Sequence, residues 1–300
     1  MALLNNLSSY WSLEDDAATT TVLDELATYN LTSSTNTEDM TTTGKVSNCL
    51  NFVKVSSQYL ERDAGFLASD KAGTISFWVY LDADTAGTDQ RLLSFTDKST
   101  DSQTYLIIDF DDSEEELRIL LKIDGTDAWK ITYSADTNFA RFVGLWKHIV
   151  IRHDGTTHYL YIDGADVTSI KTSTSLTKWF KDLREATNAM DTFTVGAWYN
   201  NNSRSSYFDG KIDEIGIWDR ALTADEITNL YNLGKGFAYP FSTRGGVQGE
   251  TGGIGTAAIA TRYPVTIGIT AGTTKQTGEQ MNLIPKSSTI FFKDKTGVGL

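Results

Sequence analysis

Carboxylates at alternate positions of one strand project to the same side at the ~5 Å separation that retaining glycoside cleavage needs. The closest string in this 300-residue chain is Glu214-Ile215-Gly216-Ile217-Trp218, with glycine and tryptophan where the second and third acids would stand. That chemistry is not expected here, and the chain reads as non-catalytic. No HExxH, Walker A or GxSxG pattern occurs. Gly253 to Ala258 fits a loosened dinucleotide fingerprint, but no strand precedes it and no amphipathic helix follows. His153 and His158 flank a turn, yet two imidazoles without a third ligand make a weak zinc site, and His148 reads as core. Asp109 to Glu116 sets six carboxylates in eight residues but lacks the glycine of an EF-hand loop, so it reads as a solvated hairpin tip.

Sugar recognition needs a different mixture: flat aromatic rings for the C–H faces of the pyranose or furanose, with amide, carboxylate or guanidinium groups for the hydroxyls. Trp198-Tyr199-Asn200-Asn201-Asn202-Ser203-Arg204 supplies both within one polar loop. Trp198 and Tyr199 are the candidate stacking residues there, and Asn201 and Arg204 the candidate polar contacts. Trp179 with Arg184 forms a second candidate pair. For each, the alternative is a loop that is merely solvated by its polar residues.

Those residues must be held by elements, and one stretch organises them. Phe208 to Trp218 alternates as a half-buried strand. Thr223 and Glu226 then form a capping box, Leu222 and Ile227 a hydrophobic staple, and Gly234 supplies the left-handed residue that ends the helix. Upstream, short β-rich runs recur between turn signals, among them Ser8–Leu13, Gly73–Leu81, Tyr105–Phe110, Leu117–Ile123 and Thr192–Trp198. In the hairpin Leu145–Asp163 both faces are apolar, as in a strand covered on each side. Many strands and one well-marked helix predict an all-β, antiparallel β-sandwich.

The phrase YFDGKIDEIGIWDRALTADEI, together with Asn48–Phe52, Ile75–Tyr80 and Trp146–Gly164 in the same order, resembles the laminin-G-like, concanavalin A-like lectin and glucanase family over about residues 7–236. The resemblance implies a jelly-roll sandwich closed by a C-terminal helix, with Trp11, Trp78, Trp146 and Trp218 in its core. It also implies a structural Ca²⁺ between the first long loop and the closing strand, with Asp24 and Asp213 at the matching positions.

Composition bounds the rest. The net charge of −13 disfavours nucleic acid and anionic membranes as partners. One cysteine, Cys49, cannot form an internal disulfide and reads as a buried, inert thiol. No basic residue precedes Lys45 and the first apolar run is three residues long, so no signal peptide is expected. Residues 241–300 hold eleven of the 24 glycines, eleven threonines and a net charge of +3, which leaves −16 for residues 1–240. These shifts put a boundary near Pro240, giving a sandwich over 1–240 and an extended Gly/Thr-rich attachment or oligomerisation segment over 241–300. Taken together, these features describe a virion structural protein, such as a bacteriophage capsid- or tail-associated decoration or fibre protein. It would be made in the host cytoplasm, display a glycan-binding domain, and bind other virion proteins through 241–300 as a homo-oligomer, a trimer being favoured. The alternative is an extracellular bacterial carbohydrate-binding module or a fragment of a secreted glycan-active enzyme.

Overall fold

A computed structural model describes residues 2–63, 71–83, 87–99, 103–168 and 170–241. The expectations for 242–300 lie outside the described residues. Among those described, the strands form two large antiparallel sheets and one small hairpin, as the alternation predicts. The first sheet runs Ala165–Asp166, His158–Ile162, Trp146–His153, Gly73–Leu81, Gly210–Trp218, Asn48–Phe52, Thr41–Thr43, with Leu7–Trp11 also paired to Gly210–Trp218. The second runs Ile170–Ser173, Thr126–Ser134, Glu116–Ile123, Tyr105–Asp111, Gln90–Thr96, Thr192–Val195, Leu60–Asp63, Leu31–Ser33, Thr21–Val22.

Alternation puts Ile75, Phe77, Val79 and Leu81 of the first sheet against Leu106, Ile108, Phe110, Leu117, Ile119 and Phe193 of the second. These side chains make the main core. On the other face of the first sheet Val150, Tyr161 and Trp218 meet Leu222, Ile227 and Leu230 in a second core under the helix Ala224–Tyr231. Val150 thus joins the second core while Ile149 and Ile151 join the first, which is why that strand reads as apolar on both faces.

The helix start is as predicted: the Glu226 amide donates to Thr223 Oγ1 (3.2 Å) and the Thr223 amide to Glu226 Oε2 (2.9 Å). Its end is not. Asn232 (φ 48°), not Gly234, is the left-handed cap, and its amide returns to the Thr228 carbonyl. Asparagine tolerates that conformation better than most residues, so the helix can stop before the glycine.

Phe241, just past Pro240, still belongs to the sandwich. Phe241 is fully buried and packs at ring distances of 5.2 Å from Tyr10 and 6.3 Å from Trp218. A chain ended after Phe241 should therefore fold. Phe241→Ala should lose about 3–5 kcal/mol of stability, the usual cost of emptying a buried phenylalanine site, and a denaturant midpoint unchanged by that substitution would show the second core to be complete without it.

Candidate functional site

Trp198 to Ser205 is a hairpin, not an irregular polar loop. Trp198–Asn200 pairs with Ser203–Ser205, and the turn residues Asn201 and Asn202 both take positive φ (49° and 55°), the asparagine-tolerant geometry of a tight two-residue turn. The hairpin is fastened to the outer face of the second sheet by hydroxyls. Ser94 and Thr194 donate to the Ala197 carbonyl (3.1 and 2.8 Å), Thr96 donates to that of Tyr199 (2.8 Å), and the Asn202 amide donates to that of Lys98 (2.7 Å).

This register sets Tyr199 directly opposite Arg204. The guanidinium lies between two rings, 4.1 Å from the centre of Tyr199 and 4.4 Å from that of Tyr59. Its Nε (3.1 Å) and Nη2 both donate to Glu61 Oε2. Beside it opens a pocket of about 260 Å³ lined by Thr32, Glu61, Arg62, Asp63, Lys98, Thr192, Tyr199 and Arg204. A second concavity of about 410 Å³, lined by Lys71, Gly155, Thr177, Lys181, Asp182 and Glu185, is larger but has no aromatic wall.

The five predicted sugar contacts therefore separate. Tyr199 and Arg204 line the pocket, whereas Asn201 sits exposed at the hairpin tip. Trp198 is half-buried against the sheet, edge-on to Tyr105 (5.9 Å) and beneath Arg91 (4.7 Å). Trp179 must be corrected: it is fully buried and cannot stack on a sugar. Its ring belongs to a stack in which His158 lies on Trp129 (4.3 Å), Trp129 on Trp179 (6.0 Å) and Trp179 on His153 (5.2 Å). Glu61, Asp63 and Lys98 carried no local signal, because their neighbourhood is made by distant strands.

The acidic run 109–116 divides: residues 112–115 form the turn of a hairpin with Ser113 and Glu114 exposed, as expected, but its first two acids are corrected. Asp109 and Asp111 are buried inside a strand, where Asp109 pairs with Arg91 and Arg118, and Asp111 with Arg118. Burial, with Arg118 nearby, lowers Arg91 to about 10. His148 is core, as expected; burial lowers it to about 3, and its Nε2 lies 2.9 Å from Ser76 Oγ. Burial pushes the Cys49 thiol up to about 12, which leaves it inert at neutral pH.

Asp24 and Asp213 answer differently to the expectation of a metal. Asp24 Oδ1 accepts the amides of Tyr10 and Leu26, and Oδ2 those of Thr28 and Tyr29. Its lone pairs are committed to the backbone, so it fits a loop-organising role rather than a ligand's. Asp213 Oδ2 accepts from Lys45 and Val46, while Oδ1 has no partner. Next to it, Glu214 Oε2 accepts from the Tyr10 hydroxyl and Oε1 has none. The open oxygens thus belong to Asp213 and Glu214. Among the described residues, no group of three or more His, Cys, Asp or Glu is disposed to hold an ion. Burial raises Asp213 to about 7 and lifts Glu214 well above the carboxylate range, with Asp213 adding to the latter.

A family model described as the concanavalin A-like lectin/glucanases superfamily matches residues 54–228. Among solved structures, domain 4 of AbnA, a GH43 extracellular arabinanase from Geobacillus stearothermophilus in complex with arabinotriose, aligns at 16% identity and a TM-score of 0.53, covering 75% of this chain and 97% of that one. The receptor binding domain of botulinum neurotoxin D aligns at 11% identity and a TM-score of 0.52, covering 76% of this chain and 52% of that one. At such identities the likeness is one of fold. No curated protein sequence matches the chain.

The buried acid pair sets a pH dependence. Between the ordinary carboxylate range and about pH 7 the folded state holds a proton on Asp213 that the unfolded state has released. In chelator, the stability contributed by this pair should therefore be fully present at the lower end of that window and decline as pH rises through it. Glu214→Gln should flatten the decline, since it removes the second group that holds its proton above the carboxylate range in the folded state. Melting midpoints that rise across the same window would contradict the assignment.

Proposed function

The chain belongs to the concanavalin A-like lectin/glucanase superfamily, and from that premise we propose that it is a non-catalytic carbohydrate-binding protein whose site is the pocket beside the Trp198–Ser205 hairpin. The observation that carries this reading is the clamped Arg204. Two aromatic rings and Glu61 fix it at the wall of a pocket that also offers Lys98, Asp63 and Thr192. Preorganised donors and acceptors of this kind lose little entropy when a hydroxyl-rich ligand arrives. A volume of about 260 Å³ falls just below the ~300–1,000 Å³ of drug-sized sites, and suits one sugar ring or the end of a chain. The arabinotriose bound by the arabinanase domain supports the ligand class.

Hydrolysis is no part of the proposal. Glu214 is buried and bonded to Tyr10, and the next positions on the same face of its strand are Gly216 and Trp218, both buried. Calcium belongs to the proposal as a structural ion held by the open oxygens of Asp213 and Glu214, with Asp24 shaping the adjoining loop. Its signature would be a melting midpoint higher in calcium than in chelator.

The finer reading is a virion protein of bacteriophage type that displays this domain and is anchored, as a homo-oligomer, through residues 241–300. Support comes from the sequence: a tail of +3 rich in glycine and threonine, set against a body of −16. The specific observation in favour of the alternative, a carbohydrate-binding module of a secreted bacterial enzyme, is the arabinanase domain. Particle assembly with a chain ending at Phe241 separates them, since the virion reading expects a folded fragment that fails to incorporate.

Binding itself is tested on a glycan array. The wild type should give signals that a Tyr199→Ala, Arg204→Ala double variant loses by ~tenfold or more, the equivalent of ~1.4 kcal/mol, while retaining its melting midpoint. Equal signals from both proteins would move the site elsewhere.

A further inference from the structure

The charges around the pocket narrow the class of sugar it can hold. Resting on the carbohydrate-binding function, we propose that the pocket selects neutral sugars and rejects anionic ones such as uronates and sialic acids, because its cations are already engaged by its own carboxylates and carbonyls. Arg204 gives Nε and Nη2 to Glu61. Lys98 Nζ lies 2.9 Å from Asp63 Oδ1. Arg62 gives Nε to the Asp63 carbonyl (3.1 Å) and Nη1 to that of Asn30 (3.0 Å), with its guanidinium 4.9 Å from the centre of the Tyr29 ring.

More acid stands close behind these pairs. The Lys98 amide donates to Asp191 Oδ1 (3.1 Å), and the Asp191 carboxyl is raised chiefly by burial, with Asp97 and Asp63 contributing. Glu61, Asp63 and Asp191 thus stand around three cations, with Asp97 acting on Asp191, and a ligand carboxylate would have to break an ion pair among them or add a further negative charge. A hydroxyl has neither cost. It can donate to a remaining lone pair of Glu61 or Asp63 while accepting from an arginine or lysine hydrogen, so every pair stays intact. Both Glu61 bonds from Arg204 converge on Oε2, which leaves that carboxylate capacity to accept such a donor.

The test uses the full chain on arrayed neutral arabinans, galactans and mannans beside polygalacturonate and sialylated glycans. Wild-type protein should bind among the neutral probes only, with signals that change by less than ~twofold between ~0.05 and ~0.5 M NaCl, because no ligand charge is there to be screened. The double variant Glu61→Gln, Asp63→Asn, which frees Arg204 and Lys98, should gain binding to the anionic probes by ~tenfold or more. Wild-type binding to the anionic probes would overturn the selectivity while leaving a sugar site in place. Neutral-only binding unchanged in the double variant would overturn its assignment to these ion pairs. Absence of binding to every probe would overturn the carbohydrate reading, and the selectivity with it.

Discussion

A strand that pairs with three others and turns both faces toward protein fixes the placement of everything around it. Gly210–Trp218 is in that position, bonded to Gly73–Leu81, Leu7–Trp11 and Asn48–Phe52. Its register shifts between Asp213 and Gly216, where Glu214 takes a φ of 54°. The extra residue lets Ile212 and Ile215, three apart, both enter the main core. It also leaves two neighbouring carboxylates buried. One caps the 44–47 turn through the Lys45 and Val46 amides; the other takes the Tyr10 hydroxyl and so ties the opening strand to the closing one.

Tyr10 extends that tie in both directions. Its amide reaches Asp24, whose four backbone bonds shape the first long loop, and its ring packs against Phe241. The opening strand, first loop, closing strand and final aromatic segment therefore meet around one residue. Gly216 makes room for this arrangement, since a Cβ there would come within 2.5 Å of the Trp218 ring.

Much of the fold was legible because its signals are local. The capping box at Thr223 and Glu226, the apolar period of Gly73–Leu81 and the two-faced hairpin at Trp146–Ile162 each lie within a few residues. Tyr199 and Arg204 were legible for the same reason, being cross-strand partners five positions apart. What escaped was made by distance along the chain. Asp109 reads as solvated among its acidic neighbours until Arg91 and Arg118 are brought alongside from the flanking strands. Trp179 sits in a polar stretch, yet its partners His153 and Trp129 arrive from two other strands and close over it. Glu61 and Lys98 belong to the pocket only because Leu60–Asp63 and Gln90–Thr96 both pair with Thr192–Val195.

Leu3 and Phe241 share the second core, and the Trp218 indole donates to the Leu3 carbonyl (2.7 Å) while its ring meets Phe241. The two ends of the described sandwich thus emerge from one patch on one face. A unit with that geometry is a cassette: a host chain can enter and leave at a single point, so the sandwich can be spliced into a surface loop of another protein without stretching either partner. The opposite consequence is mechanical. Tension applied across those ends would fall first on the Leu3, Trp218 and Phe241 contacts.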